Sequence, residues 1–278
     1  MARPLVMGVL NVTPDSFSDG GRYDSVTSAT RRALEMVDEG ADVIDVGGES
    51  TRPGATPVSL DEETARVLPV VEAVAAALAG SGTRISIDTR HAAVAHAAVA
   101  AGATIINDIS ASLHEVAAEM GVGWVAVHMS GVPESMQAAP HYDDVVTEVR
   151  DHLVERAARA RAAGVGELWI DPGIGFGKSA THNLELLAHL DELVRTGLPV
   201  LIGTSRKSTL GMLTRASDAR VGIESTAGPD DRFEASVATA TWAMHQGVAM
   251  VRAHDVRAHV HAAAVVAGSI PTTIPDAA

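Results

Sequence analysis

The segment LWIDPGIGFGK, residues 168–178, is a short apolar run that ends in an aspartate and leads into a glycine-rich loop. Seven other short β-rich runs end in a similar way, before a loop and a helical stretch. In a (β/α)8 barrel all such strand ends meet on one face, where the loops build the active site. We therefore predict an α/β fold, a TIM barrel, with polar strand ends at Asn11, Asp45, Glu49, Asp88, Asn107, Asp108, His128, Asp171, Lys207, Arg252 and His254.

Helical periodicity alternates with these runs. Apolar residues recur at helical spacing in 60–79, and the segments 91–101, 142–163, 183–196 and 233–246 are similarly helical. Such alternation is typical of βαβ units and a parallel sheet. Two connections differ from the average. The connection 107–124 is short for a full crossover, and the polar stretch 212–231 is predicted to be a surface insertion.

Length and hydropathy bound the class of protein. A chain of 278 residues has the usual size of one such barrel, so we predict a single domain over 1–278 with a frayed tail at 272–278. No apolar run reaches the roughly 18 residues of a membrane span. The first residues also lack the pattern of a signal peptide. The sequence therefore predicts a cytoplasmic protein without a membrane partner.

Charge and cysteine content exclude further classes of function. The chain contains no cysteine, which excludes disulfides, thiolate metal sites and cysteine nucleophiles. Its net charge of -14 argues against a nucleic-acid partner, because nucleic-acid binding draws on clustered Lys and Arg. An anionic small-molecule substrate must therefore be held by a local cluster of positive groups.

Two of the 21 basic residues are lysines, Lys178 and Lys207, and the others are arginines. Both lysines follow predicted strands, the sixth and the seventh. Lysine is a compact charge with three donors on a flexible stem, which suits a point contact. Its retention in an arginine-rich chain indicates a function for Lys207, whereas for Lys178 function and chance placement are equal alternatives.

The glycines of 168–178 do not form a nucleotide-binding motif. A P-loop requires glycine six residues before its lysine, and that position is Pro172. The glycines at 173, 175 and 177 also lack the GxGxxG spacing. They allow a ligand or another backbone to approach closely, or they form an ordinary tight turn.

Three polar strand ends predict the kind of ligand. Asp88, Asn107 or Asp171 alone could be a helix cap, although a carboxylate at a buried barrel rim needs a partner or a ligand. Together they offer acceptors and donors in the plane of a flat, nitrogen-rich ring. A carboxylate accepts a guanidine-like edge in a bidentate pair. This combination predicts a pterin or a purine.

The motifs taken in order resemble the dihydropteroate synthase family, from Val6 to about Val266. They are NVTPDSFSDGG at 11–21, ESTRPG at 49–54, IDT at 87–89, IND at 106–108, DPGIGFGK at 171–178, SRKS at 205–208 and VRAHDV at 251–256. The resemblance implies a folate-pathway transferase that joins 6-hydroxymethyl-7,8-dihydropterin pyrophosphate to 4-aminobenzoate. It also implies Mg2+ as cofactor and a homodimer as the assembly.

The resemblance further implies a role for each matching residue. The pterin ring is expected against Asp88, Asn107, Asp171 and Lys207, and the pyrophosphate against Asn11, Thr51, Arg52, Arg252 and His254. The 4-aminobenzoate site is expected to contain Phe17, Arg52, Pro53, Phe176, Lys207 and Ser208, and Asn11 is the implied Mg2+ ligand. The implied catalytic residues are Lys207, Asp88, Asp171, Arg252 and Asp19.

Departure of pyrophosphate is the difficult step, and the resemblance implies a dissociative, SN1-like substitution stabilised by positioned charge. No general base is assigned, because packing beneath the site explains His128 equally well. Two rival functions share the pterin pocket: a corrinoid-linked methyltransferase and a catalytically silent binding paralogue. The STRP, SRK and RAHD motifs favour the synthase.

Overall fold

The computed structural model describes residues 2–13, 22–50, 57–133, 135–224 and 228–268, with the backbone alone for 22–25 and 230. Within these ranges lie the strands β1 (Leu5–Asn11), β2 (Val43–Gly47), β3 (Arg84–Asp88), β4 (Ile105–Asp108), β5 (Gly123–Val127), β6 (Leu168–Asp171), β7 (Leu201–Ile202) and β8 (Met250–Ala253). They form one parallel sheet in the order β6-β5-β4-β3-β2-β1-β8-β7. A bridge between Ile170 and Val200 joins β6 to the chain entering β7 and closes the ring. The predicted TIM barrel is confirmed.

The helices follow the strands and cover the outside of the sheet. They are α1 (Arg22–Asp38), α2 (Leu60–Ala77), α3 (Ala92–Ala100), α4 (His114–Met120), α5 (Val145–Ala163), α6 (Ala180–Ala188), α7 (Leu190–Val194), α8 (Ser208–Arg220), α9 (Phe233–His245) and α10 (Val256–Ala267), with a 3-10 helix at Pro229–Arg232. The helices predicted at 60–79, 91–101, 142–163 and 233–246 are confirmed, with small shifts at their ends. Side chains cap two of them: Ser59 accepts from Glu62 N and Asp144 from Thr147 N.

Three connections differ from the prediction. The segment predicted as one helix at 183–196 contains two, because the chain leaves helical geometry at His189 (φ -113°, ψ 32°) between α6 and α7. The connection 107–124 is a complete crossover with the short helix α4. The surface insertion at 212–231 was wrong for its first part, because 212–220 belongs to α8. The buried residues of α8 are Thr209, Leu210 and Gly211, so the rest of the helix has no apolar periodicity that would predict it.

Two apolar clusters pack against opposite faces of the strands. The larger one lies between the sheet and the helices and includes Ile44, Ile106 and Trp124. The smaller one fills the barrel interior and contains Met7, Val43, Ile105, Ile109, Val125, Val127, Trp169, Leu201 and Met250. Successive side chains of a strand point to opposite faces. Residues two or four positions beyond the interior cluster therefore also face inward, toward the carboxyl-terminal end of the barrel.

Several predictions concern properties other than the barrel. A bilayer-spanning helix would need more length and apolar character than any helix in the described ranges provides. The cytoplasmic location and the exclusion of a nucleic-acid partner stay predictions. The single domain over 1–278 also stays a prediction, and its frayed tail at 272–278 lies outside the described residues.

Candidate active site

The alternation of the strands carries six polar side chains to the carboxyl-terminal end of the barrel interior. They are Asn11, Asp45, Asp88, Asn107, Asp171 and Arg252. Strand register places Asn11 beside Gly47, Gly47 beside Asp88, and Asp88 beside Asn107. A Cβ atom at Gly47 would lie 3.8 Å from Asn11 Oδ1 and 3.4 Å from Asp88 Cβ. The structure thus brings together the five of these residues that have a predicted role, and Asp45 is the sixth member of the group.

Arg252 is the positive centre of this group. Its Nε donates to Asp45 Oδ2 at 2.6 Å, and its Nη2 donates to Asp88 Oδ2 at 2.7 Å. Burial by itself lowers the pKa of Arg252, but the two carboxylates outweigh burial and raise that pKa, so the guanidinium stays charged. One cation therefore connects β8 to β2 and β3 on the inner face of the barrel.

Asp45 is a site residue to which the sequence analysis gave no role. It is fully buried, and its Oδ2 also accepts from Asn107 Nδ2 at 3.0 Å. Asp45 Oδ1 and Asn107 Oδ1 are buried without a hydrogen-bond partner among the described residues. A buried acceptor without a donor is costly, so both oxygens are suited to a donor on a ligand. The signal in the sequence was a carboxylate in the middle of the apolar strand VIDVG.

Burial moves the pKa values of three site groups toward neutrality. Burial raises the pKa of Asp88 to about 7; Arg252 opposes this rise and Asp45 adds to it. Burial also raises the pKa of Asp171, whose Oδ1 accepts from Gly173 N at 2.7 Å. Burial, reinforced by Arg252, lowers the pKa of Lys207 to about 8. Groups perturbed in this way cluster at functional sites.

Lys207 reaches the site from the loop after β7. Its Nζ lies 4.2 Å from the centroid of the Phe176 ring, which is a cation–π contact. The preceding residue, Arg206, has a φ of 59°, which is unfavourable for a residue with a side chain. An ion pair with Asp255, 2.8 Å between Arg206 Nη2 and Asp255 Oδ1, holds it there. This turn fixes the direction of Lys207, and Ser208 follows as the first residue of α8.

His254 follows β8 on the same face. Its Nδ1 lies 3.0 Å from Ser205 Oγ, and its backbone N donates to the same oxygen at 3.1 Å. Burial, with Arg252 next to it, lowers the pKa of His254 to about 3. The imidazole is therefore neutral at pH 7. It can give an anion a hydrogen bond but no charge.

Some predicted residues lie outside the described residues: Phe17, Asp19, Thr51, Arg52 and Pro53. The described residue Glu49, two positions before Thr51 in the sequence, is held on both sides. The Glu49 carboxylate accepts from Arg90 Nη2 at 3.1 Å and from Val58 N at 3.3 Å.

Glu49, Glu63 and His91 form an acid and histidine group whose ligand atoms are close enough to hold a metal. These atoms already have partners, however. Glu63 accepts from Thr89 Oγ1 at 2.7 Å and lies 2.6 Å from His91 Nδ1, while Glu49 is paired with Arg90. An adjacent arginine opposes a bound cation, so we assign this group to structure rather than to metal binding.

Asp108 and His128 face away from the barrel interior, because each is one position out of phase with the inward side chains. Asp108 Oδ2 accepts from Ser112 N and Leu113 N, each at 2.7 Å, and organises the loop after β4. His128 packs edge-on against His152 of α5, with ring centroids 5.0 Å apart. Burial and the nearby Lys178 lower the pKa of His128 to about 2, so it is neutral. Packing explains His128 better than base catalysis does.

Comparison with known proteins agrees with this arrangement. Residues 7–254 match the family model of the pterin binding enzyme. The dihydropteroate synthase of Escherichia coli strain K12 is 45% identical over 276 residues, which cover 97% of this chain and 93% of the relative. The chain belongs to the dihydropteroate synthase family.

Solved structures of dihydropteroate synthases show the same barrel. The Xanthomonas albilineans dihydropteroate synthase with 4-aminobenzoic acid has a TM-score of 0.84 at 45% identity, covering 97% of this chain and 94% of that one. Its complex with 7,8-dihydropteroate has a TM-score of 0.80 at 42% identity, covering 97% and 95% of the two chains. These relatives favour the synthase over the corrinoid-linked methyltransferase.

Asp45→Asn should lower kcat/KM for the pterin substrate by about a hundredfold, the usual scale for loss of one positioned charge. The amide removes the charge that orients Arg252. It also removes a charge that adds to the raised pKa of Asp88, so the rise of kcat/KM with pH that we expect from ionisation of Asp88 should move to lower pH. Steady-state kinetics over a pH series measures both effects. Asp42→Asn is the matched control, because Asp42 precedes the same strand at the other end and pairs with Arg3. Equal losses in the two variants would contradict the role of Asp45.

Proposed function

We propose that this chain condenses 6-hydroxymethyl-7,8-dihydropterin pyrophosphate with 4-aminobenzoate and releases 7,8-dihydropteroate and pyrophosphate. The observation that carries the proposal is the ion pair of Arg252 with Asp45 and Asp88, next to two buried acceptor oxygens, Asp45 Oδ1 and Asn107 Oδ1, that have no partner among the described residues. A flat, donor-rich ring on the substrate matches the acceptor oxygens, and an anionic tail matches the guanidinium of Arg252. The dihydropteroate synthase relatives, at 45% identity over almost the whole chain, support the same reaction.

The pterin ring is recognised through its edges. Asp88 and Asp171 can accept from ring N–H and NH2 groups, and the amide of Asn107 can both donate and accept. Lys207 completes the pocket from the loop after β7. Because the pKa of Asp88 is raised to about 7, the charge available to the ring depends on pH near neutrality.

The pyrophosphate tail lies toward β8 in this proposal. Arg252 supplies a permanent charge and His254 a neutral N–H, while the family motif adds Thr51 and Arg52. Mg2+ commonly binds one or two protein oxygens together with substrate phosphates and water. Asn11 fits that pattern, because its amide oxygen lies near Asp88 at the same level of the sheet. Mg2+ bound by Asn11 would add positive charge at the departing pyrophosphate.

The reaction exchanges a carbon–oxygen bond for a carbon–nitrogen bond. The bond between the pterin methylene and the pyrophosphate breaks, and its electron pair leaves with the pyrophosphate, where Arg252 stabilises the new charge. The dihydropterin ring shares the positive charge left on the methylene carbon, beside Asp88 and Asp171, and by family motif Asp19. The amine of 4-aminobenzoate then attacks and loses a proton. Because the ring stabilises the carbon before the nitrogen bonds to it, the substitution is dissociative and SN1-like, and the nitrogen needs orientation more than activation.

The 4-aminobenzoate lies between the loops after β6 and β7. Phe176 offers a ring face and Lys207 a charge in contact with that face. Ser208 follows Lys207 at the start of α8. Phe17, Arg52 and Pro53 complete the site by family motif, and the guanidinium of Arg52 suits the benzoate carboxylate.

We also propose that the protein is a homodimer. Large apolar side chains are exposed on α8, on the segment after it and on α9, including Met212 (60% exposed), Val221 (72%) and Trp242 (48%). Exposed apolar groups on neighbouring elements mark protein interfaces. Sedimentation velocity should give one species with twice the mass of the 28.7 kDa chain. A species of single-chain mass at micromolar concentration would contradict the homodimer.

Product formation tests the function. Purified protein with the pterin pyrophosphate, 4-aminobenzoate and Mg2+ should form 7,8-dihydropteroate and release pyrophosphate, and EDTA should suppress both. Lys207→Ala should lower turnover by about a hundredfold, because the ammonium contacts the site that joins the two substrates. Tight pterin binding without product would contradict the synthase and favour the silent paralogue. Normal turnover by Lys207→Ala would contradict the role of that lysine alone.

The pH profile follows from the two titrating groups that face the substrates. Asp88, surrounded by Arg252, Asp45, Lys207 and Glu63, gains its charge as pH rises through about 7. Lys207 loses its charge as pH rises through about 8. We therefore expect kcat/KM to rise through the first value and fall through the second. In Lys207→Arg the alkaline limb should disappear, because a guanidinium does not deprotonate in this range. An unchanged alkaline limb in that variant would assign it to another group.

A further inference from the structure

Lys178 is a buried lysine that takes no part in the chemistry proposed above. Burial lowers its pKa to about 7, and the nearby Asp171 opposes this shift. Its Nζ lies 2.9 Å from His128 Nδ1, 3.0 Å from Phe176 O, 3.1 Å from Gly173 O and 3.3 Å from His128 O. The side chain is almost fully buried. Because His128 is neutral, its Nδ1 can accept from the ammonium. Lys178 Nζ thus lies within hydrogen-bond distance of four acceptors, two of which are carbonyls of its own loop.

Two further carbonyls of that loop are also held by side-chain donors. Gln137 Nε2 donates to Gly175 O at 2.7 Å, and Tyr142 Oη donates to Gly177 O at 3.1 Å. We call Lys178, Gln137 and Tyr142 the carbonyl clamp. Together they bind the carbonyls of Gly173, Gly175, Phe176 and Gly177. The loop after β6 is therefore fixed by donors from within itself and from the segment between β5 and α5.

Glycine is required where this loop touches the segment after β5. A Cβ atom at Gly173 would lie 1.9 Å from His128 O, and one at Gly177 would lie 2.2 Å from Ser130 O. Both glycines have positive φ, 66° and 63°. Of the alternatives for these glycines, the close approach of another backbone is the one that the structure supports. That approach brings the carbonyls within reach of the clamp.

The held loop carries Phe176 into the active site. While Lys178 binds the Phe176 carbonyl, the Phe176 ring faces Lys207 Nζ at 4.2 Å. At Gly175 a Cβ atom would lie 3.3 Å from Lys207 Cδ, so the loop backbone also contacts the lysine stem. Any change in the backbone at Phe176 moves the Phe176 ring and, through their contact, Lys207 Nζ. Both groups belong to the proposed 4-aminobenzoate site.

We propose that Lys178 is a positioning residue for the 4-aminobenzoate site, acting through the backbone of Phe176. This inference rests on the proposed function. It also accounts for a lysine in an arginine-rich chain, because a planar guanidinium cannot direct three protons to acceptors grouped around one point. Gly173 stays in place without the clamp, since Asp171 and the close contact with His128 hold it. We therefore expect loss of Lys178 to weaken the binding of 4-aminobenzoate more than the binding of the pterin.

Lys178→Met and Gln137→Ala test the inference, because the first removes two loop contacts and the second removes one. Lys178→Met should raise KM for 4-aminobenzoate by about tenfold and Gln137→Ala by about threefold, since small misplacements of a bound group are costly. In Gln137→Ala the affinity for the pterin pyrophosphate, measured by calorimetry, should change by less than about twofold, because its ligands are not displaced. In Lys178→Met the loss of pterin affinity should stay well below the rise in KM for 4-aminobenzoate, because Asp171 loses only the nearby charge of Lys178. Amide hydrogen exchange of the peptide 172–178 should accelerate in both variants. Gln246→Ala, in the turn before β8, is the matched control and should match the wild type.

Each result decides the inference. An unchanged KM for 4-aminobenzoate, or equal losses for both substrates, would overturn it, because the second pattern is that of general destabilisation. If Lys178→Met does not fold, Gln137→Ala carries the same comparison. A wild type that forms no dihydropteroate contradicts the proposed function instead. In that case direct 4-aminobenzoate binding and the exchange of 172–178 still test the clamp.

Discussion

The ion pair of Arg252 with Asp45 and Asp88 is the interaction on which the site depends. Burying three charged groups is costly unless each has a partner, and the partners here come from strands 2, 3 and 8. Removing one of the three side chains would leave a buried charge without its partner. The three strands hold the side chains in the positions that these contacts require. Burial at this site raises the pKa of Asp88 to about 7 against the opposing effect of Arg252, and burial together with Arg252 lowers the pKa of Lys207 to about 8.

The inward-facing side chains of the strands include both the residues that pack the barrel interior and the residues of the site. Inward positions low in the barrel carry apolar residues such as Met7 and Met250, and inward positions two or four residues further along each strand carry the polar site residues. The outward residues at the same level, such as Asp108 and His128, bind loops and helices instead. A change of phase by one residue would exchange these two sets.

Much of the fold and part of the site could be predicted from the sequence. Polar residues that end short apolar runs are a local pattern, so the placement of Asn11, Asp88, Asn107, Asp171 and Arg252 on one face followed from the barrel alone. The role of Asp45 did not follow. Its partner Arg252 lies 207 residues away, and strand phase becomes visible only when the interior cluster is known. The extent of α8 was missed because most of that helix is exposed.

Lys178 shows the same limit on a smaller scale. Its presence was visible in the sequence, but its role depends on His128 and Gln137, which belong to a different loop. The loop after β6 and the segment after β5 thus hold each other in place. The glycines at 173 and 177 are needed for this contact rather than for binding a phosphate.

A crystal structure with the pterin pyrophosphate bound would test the central claim most directly. The account predicts the ring against Asp88, Asn107 and Asp171, with the pyrophosphate on Arg252 and His254. It also predicts that Asp45 still pairs with Arg252 in that complex. A pyrophosphate bound away from β8, or a ring without contact to Asp88 and Asp171, would contradict it.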